Sequence, residues 1–243
     1  MSTNIEYIGF NVDLKKEELQ PLKTYIKYTN ETYFGKPISP ELLKIATPFD
    51  FSIRKQGEEK KISSISFFVK EKYIQSLFFD VAEILKKQGY NLDTSIADEF
   101  YSISRGYDIN IFYAPIISIK NINSIKTCAL YLNTLKDKSL EREHFLKSIS
   151  YSNRYNFDSV ALSFIKNLVE IGTTKIFTNA YEFKNEALVR KYYFKIRDVI
   201  AFKKACDRFI PYVPLDINNY RLCEVSISSE NKLGFYYKPK EKS

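Results

Sequence analysis

The sequence predicts one α/β (α+β) domain spanning residues 1–243, built from five β-hairpins with helices between them. Period-2 alternation comes in paired runs joined by turns or loops rich in Lys, Glu, Asn or Gly, and between the pairs the period shifts to helical. No Gly/Ser-rich or Pro-rich linker divides the chain. At 44% hydrophobic and 16% aromatic residues over 243 positions, it can bury a sizeable core.

The first pair is Tyr7 to Asp13 with Leu22 to Tyr28, and the second is Phe49 to Arg54 with Ile62 to Val69. A less regular third pairs Tyr107 to Tyr113 with Ser124 to Leu132. The fourth is Ser159 to Phe164 with Thr174 to Tyr181, and the fifth is Leu222 to Ile227 with Lys232 to Tyr237. Pro37 to Lys44 has room only for a short helix. Tyr73, Leu77, Phe78, Val81, Ile84 and Leu85 form a helical stripe ended by Gly89, and Ile96 to Ile103 adds a shorter helix. Lys138 to Ile149 reads as a weak helix. Glu186 to Phe209 reads as a long one, with Leu188, Tyr192, Ile196, Val199 and Phe202 on one side and Pro211 closing it.

Each strand has an apolar face and a small or polar face, in a consistent sense. Phe10 and Val12 alternate with Asn11 and Asp13; Phe49, Phe51 and Ile53 with Asp50, Ser52 and Arg54; Val160, Leu162 and Phe164 with Ala161 and Ser163; Val225 and Ile227 with Glu224 and Ser226. The helices must bury their stripes, and the apolar strand faces are the available surface. The polar faces then either meet solvent on an open sheet or, if the ten strands close, enclose a wide polar lumen with helices outside. A closed lumen would bring together Lys23, Tyr25, Lys126, Lys175 and Phe177, facing Asp50, Ser52 and Arg54.

Composition removes several function classes. Cys128, Cys206 and Cys223 are odd in number and widely spaced, and the one histidine, His144, reads as a helix-surface residue. A disulfide framework, a zinc centre and a histidine triad therefore lack material. No apolar run is long enough to span a membrane, and the first residues lack the pattern of a signal peptide, so a cytoplasmic protein is expected. The net charge of +8 fits an anionic partner. Nucleic acid is one such partner, with tyrosine and phenylalanine rings to stack on bases, although most rings fall on the apolar faces.

Five helix-flanked hairpins with polar and apolar faces in this sense resemble the ABBA-type aromatic prenyltransferases. Thr47-Pro48-Phe49-Asp50-Phe51-Ser52 is similar to the family segment that carries the catalytic acid, with Asp50 in place of Glu. Ile8-Gly9-Phe10-Asn11-Val12-Asp13 followed by Lys23-Thr24-Tyr25 is similar to its Gly-Phe-Asp-Leu and Lys-x-Tyr strands. Lys175-Ile176-Phe177 resembles a second Lys-x-Tyr copy, Lys126-Thr127-Cys128 keeps only the lysine, and Leu233-Gly234-Phe235-Tyr236-Tyr237 resembles the aromatic last strand.

The resemblance implies a ten-stranded antiparallel barrel that transfers a prenyl group from an allylic diphosphate to an electron-rich aromatic acceptor. Asp50 would accept the proton, and Lys23, Arg54, Lys126 and Lys175 would hold the diphosphate. Tyr25, Phe177, Tyr236, Ser52, Ser163 and Glu224 would shield the cation or line the substrate. No Asp-Asp-x-x-Asp motif is present, so a magnesium ion is allowed but not required. A nucleic-acid-binding or noncatalytic ligand-binding protein on the same barrel remains the alternative.

Overall fold

The computed structural model describes residues 3–14, 18–19, 23–29, 39–56, 59–105, 115–122, 125–133, 147, 149–170, 174–184, 187–207 and 213–240. The strands are β1 (Thr3–Asp13), β2 (Glu18–Leu19), β3 (Lys23–Thr29), β4 (Ala46–Gln56), β5 (Glu59–Val69), β6 (Ile116–Ile122) and β7 (Ile125–Asn133). They continue as β8 (Thr174–Lys184), β9 (Ala187–Ile196), β10 (Asp216–Ile217), β11 (Tyr220–Ser228) and β12 (Lys232–Pro239). The short β2 and β10 pair only with β1 and β11.

The others run β11-β12-β1-β3-β4-β5-β6-β7-β8-β9, every pair antiparallel, and β9 then pairs back onto β11. Phe194 lies opposite Val225 and Tyr192 opposite Ile227. Ten strands thus close into a barrel, and closure removes the sheet edges that would otherwise offer unpaired backbone.

Helices α1 (Pro40–Ile45), α2 (Ala82–Lys87) and α3 (Ala97–Arg105) cover one flank, while α4 (Ser159–Glu170) and α5 (Val199–Cys206) cover another. Two apolar cores lie between strands and helices. One packs Phe67, Leu130 and Phe183 with Leu42, Leu85 and Phe100; the other packs Phe10, Phe194 and Phe235 with Phe164, Leu168 and Phe202. Because successive strand residues alternate faces, outward apolar residues force the polar set inward.

The first, second and fifth expected hairpins are present as β1/β3, β4/β5 and β11/β12. In the third, Tyr107 to Tyr113 lies outside the described residues, and the strand paired with β7 is β6. The fourth needs correction. Ser159 to Phe164 opens helix α4: Ala161, Phe164, Ile165 and Leu168 make a fully buried helical stripe, and the Asp158 carboxylate accepts the Val160 amide at 2.8 Å.

β8 pairs instead with β9, which replaces the first half of the expected long helix; only Val199–Cys206 of that segment is described as helical. Leu188, Tyr192 and Ile196 recur every fourth residue, a spacing that shares a face in a helix and in a strand alike. Of the weak helix at Lys138 to Ile149, most lies outside the described residues, His144 included. Gly89 ends the α2 segment at φ 79°, as a left-handed terminal glycine should.

Outside the β8/β9 wall sits a buried ion pair. Arg190 Nε donates to Glu99 of α3 at 3.2 Å, with both residues at 1% exposure or less. The other guanidinium nitrogens donate to the Ala180 and Lys191 carbonyls and to Asn179 Oδ1. Tyr155 and Tyr181 hydroxyls donate to Glu99, and Arg190 stacks over the Tyr181 and Tyr192 rings at 4.1 and 4.5 Å. This cluster fixes α3 to the back of the β8/β9 hairpin.

Candidate functional site

Directly opposite residues in antiparallel strands share a face, so register carries the inward assignment around the ring. Asn11, Gly234, Ser226 and Tyr193 are successive partners across β1, β12, β11 and β9. Ser66, Ser118, Ala129 and Glu182 are successive partners across β5 to β8. The Ser66 and Ser118 hydroxyls meet at 3.4 Å. Small residues stand at most of these positions, and Ser118, Ala129 and Ser226 are buried beneath their neighbours.

Among the described residues, Glu182 gathers three lysines on the inner face. Its Oε1 lies 4.0 Å from Lys120 Nζ and 3.8 Å from Lys191 Nζ, while Oε2 lies 3.5 Å from Lys184 Nζ. Burial alone would push the carboxyl up, but Lys191, Lys120 and Lys184 overcome it and hold the group down to about 2. The carboxylate is therefore charged at neutral pH, and Lys184 shares a second carboxylate, Glu230, at 3.4 Å.

Beside this cluster runs a row of tyrosines. The Tyr193 ring lies 6.3 Å from both Tyr131 and Tyr236, and Lys191 Nζ sits 4.9 Å from its centroid. Burial pushes the Tyr193 hydroxyl well above its ordinary range, helped by Tyr131, Tyr236 and the nearby Glu182 and Glu224 carboxylates. It stays protonated and can donate. Tyr236 lies along the wall: its hydroxyl is 3.3 Å from Ser226 Oγ, and a Cβ added at Gly234 would come within 2.9 Å of that hydroxyl. A Cβ at Gly9 would come within 3.0 Å of the same ring. Glycine at both positions is what lets the ring lie down.

The expected site residues divide into three groups. Tyr236 and Glu224 occupy inward positions, Glu224 opposite both Tyr236 and Lys195. Register also places Asp50 opposite Thr29 and Ser66, Ser52 opposite Lys27 and Ser64, Arg54 opposite Tyr25, Lys23 opposite Gly9, and Lys175 opposite Lys195. These are strand positions on the inward face; their side chains and those of Tyr25 and Phe177 lie outside what is described. Phe177 falls in a bulge between Ile176 and Thr178.

Two residues leave the site. Lys126 shares its strand face with the buried Cys128, Leu130 and Leu132, so it points outward, donating to the Gln88 carbonyl at 2.6 Å beside the Tyr90 ring. Ser163 is exposed on α4, because that segment is helical. In their place the structure supplies Lys120, Tyr131, Glu182, Lys191 and Tyr193. Lys191-Tyr192-Tyr193 is itself a Lys-x-Tyr sequence, hidden inside a segment that reads as helix.

Among the described residues no three His, Cys, Asp or Glu side chains converge to hold a metal ion, and no helix is long and apolar enough to cross a membrane. Cys128, Cys206 and Cys223 are free, with burial pushing their thiols up to about 12, 12 and 11. Many rings expected for base stacking, including Phe10, Phe67, Phe194 and Phe235, are buried in the outward cores.

No family model matches the chain, and no curated protein matches it. Among solved structures it is similar to NotF in complex with brevianamide F and DMSPP, with a TM-score of 0.55 and 10% identity over 98% of this chain and 81% of that one. At that identity the likeness shows the fold: the ABBA barrel to which the hairpin pattern pointed.

Proposed function

We propose that the chain is an aromatic prenyltransferase, moving a dimethylallyl or longer prenyl group from its diphosphate to an electron-rich aromatic small molecule or peptide side chain. The observation that carries this reading is the placement of Lys120 and Lys191 beside the Tyr131, Tyr193 and Tyr236 row, on the inner face of one closed barrel. NotF, a protein of the same fold, holds two small molecules together, which supports a chamber for two substrates.

Ionisation breaks the carbon–oxygen bond of the allylic diphosphate, and the electron pair leaves with the diphosphate. Inward lysines stabilise that anion where its charge develops, with Lys23, Arg54 and Lys175 extending the cationic wall. The negative faces of the tyrosine rings, and of Tyr25 and Phe177, stabilise the allyl cation, while the closed barrel keeps water from trapping it. The acceptor ring then attacks the cation, and Asp50 takes the proton that restores aromaticity. Ser52 and Glu224 line the acceptor. A magnesium ion could accompany the diphosphate, but no step depends on one.

The test is incubation with labelled dimethylallyl diphosphate and a panel of indoles, phenols and aromatic peptides. Lys191→Met lowers kcat by about a hundredfold, and Asp50→Asn by a comparable factor of about 10². Turnover by either variant at the wild-type rate would remove that residue from the reaction. Diphosphate binding without transfer to any acceptor would make the barrel a ligand-binding protein.

A further inference from the structure

The tyrosine row separates two groups of cations on the inner face. Lys191, Tyr193 and Lys195 alternate along β9 and share the inward side. Lys191 belongs to the cluster around Glu182, and Lys195 lies beyond the row. On β12, Lys238 is the next inward position after Tyr236, and Arg221 of β11 lies directly opposite Lys238. Lys195, Arg221 and Lys238 are exposed near the strand ends, and among the described residues none of the three enters an ion pair.

Folding alone gives no reason for this register. Arg221 faces Lys238 and Lys175 faces Lys195, and like charges directly opposite in a sheet lower its stability. Two carboxylates stand nearby, and neither forms an ion pair with the three exposed cations. Asp216 is opposite Arg221 but pairs with Lys240 at 3.1 Å. Glu224 lies deeper, half-buried opposite Lys195 and Tyr236.

We infer that this end of the barrel is a docking surface for an acidic peptide segment, which lays carboxylates across Lys195, Arg221 and Lys238 and presents an aromatic side chain to the tyrosine row. The inference rests on the prenyl-transfer reading and names its acceptor class. Exposed cations gain little from one small anion, because water screens each contact. A chain of carboxylates engages several at once, and the contacts reinforce one another. The net charge of +8 draws such a chain in from a distance. A nucleic acid is also a polyanion, but single strands are held by rings on which their bases stack. Among residues whose side chains are described no tyrosine is exposed, and the one exposed phenylalanine, Phe79, lies beside α2 on the helical flank.

The experiment is fluorescence anisotropy of the full chain with a labelled peptide, a central tyrosine flanked by glutamates, beside the same peptide with glutamines. The glutamate peptide binds about tenfold more tightly, and the difference shrinks as salt rises. Arg221→Gln and Lys238→Gln each weaken it about threefold and together about tenfold, within the range of exposed ion pairs. Both variants relieve a like-charge contact, so they unfold at no lower temperature than wild type. Lys72→Gln with Lys87→Gln removes the same charge from the helical flank and changes affinity less than about twofold.

Equal affinity for the two peptides, or an equal loss in the flank variant, overturns the docking surface and leaves the prenyl-transfer reading standing. Tighter binding of a single-stranded oligonucleotide of matched charge, lost in the Arg221→Gln, Lys238→Gln double variant, also overturns it and gives this end to nucleic acid. Docking with transfer to small phenols but never to the peptide tyrosine overturns the acceptor assignment. Docking as stated, with no transfer to any acceptor, removes the prenyl-transfer reading and keeps the surface.

Discussion

The β8/β9 hairpin carries a charged cluster on each face, and the two are built on opposite principles. Outside, Arg190 and Glu99 meet at 3.2 Å, each guanidinium nitrogen has an acceptor, and the cation lies against two tyrosine rings. Inside, Glu182 faces three lysines at 3.5–4.0 Å, and Lys184 reaches on to Glu230 at 3.4 Å. The outer cluster is balanced and satisfied, so it can only hold α3 in place. The inner one spreads a single carboxylate over three longer contacts. The same two strands thus separate a structural lock from the proposed binding surface by the thickness of a backbone.

The largest expected effect breaks the lock. Arg190→Met leaves the Glu99 carboxylate buried with only tyrosine hydroxyls for company, and costs about 3–5 kcal/mol in urea unfolding. A cost under about 1 kcal/mol would mean that the outer cluster is as loose as the inner one, and the contrast would fall. Replacing both partners, as Glu99→Leu with Arg190→Met, recovers part of the loss, because the uncompensated charge disappears with its partner.

Acid sharpens the contrast from the inner side. Glu182 is held down to about 2 from an ordinary 4.5, so its contribution is fully present above about pH 5 and is lost as pH falls toward 2. The contribution is of the order of 3 kcal/mol. Unfolding curves between pH 7 and pH 2 therefore slope more steeply for wild type than for Glu182→Gln. Parallel curves would show that the lysines do not act on this carboxylate in the folded state.

Much of this was legible in the chain, and what was not has a physical cause. Inverted polarity could be read from Phe10-Asn11-Val12-Asp13 and from Val225-Ser226-Ile227, because period 2 is unambiguous where small polar and large apolar residues alternate. Leu188, Tyr192 and Ile196 misled because a four-residue interval suits both periods, and the deciding alternation lies between them, in Lys191, Tyr193 and Lys195. At Ser159 to Phe164 the local alternation was genuine, but the wider stripe of Ala161, Phe164, Ile165 and Leu168 won by burying more. Lys126 reads as inward among the strand lysines, although the parity of Cys128, Leu130 and Leu132 points it outward and makes Tyr131 the inward residue. The Glu182 nest could not be read at all, since Lys120 and Glu182 meet only once β6, β7 and β8 are laid side by side.

The smallest expected effect asks whether the inner face is loose in its packing as well as its charge. Gly234→Ala would place a methyl group 2.6 Å from Ser226 Oγ and 2.9 Å from the Tyr236 hydroxyl. The Tyr236 hydroxyl is the far end of a side chain and can move away, and the Ser226 hydroxyl can turn about its own Cα–Cβ bond. The stability cost is then only about 1 kcal/mol, at the low end for an added core methyl. The ring that moves lines the proposed acceptor space, so the KM for acceptor should shift severalfold while pyrophosphate affinity stays within about twofold. A cost near 3 kcal/mol with unchanged acceptor kinetics would show that Tyr236 is packed as rigidly as the outer core and takes no part in shaping the chamber.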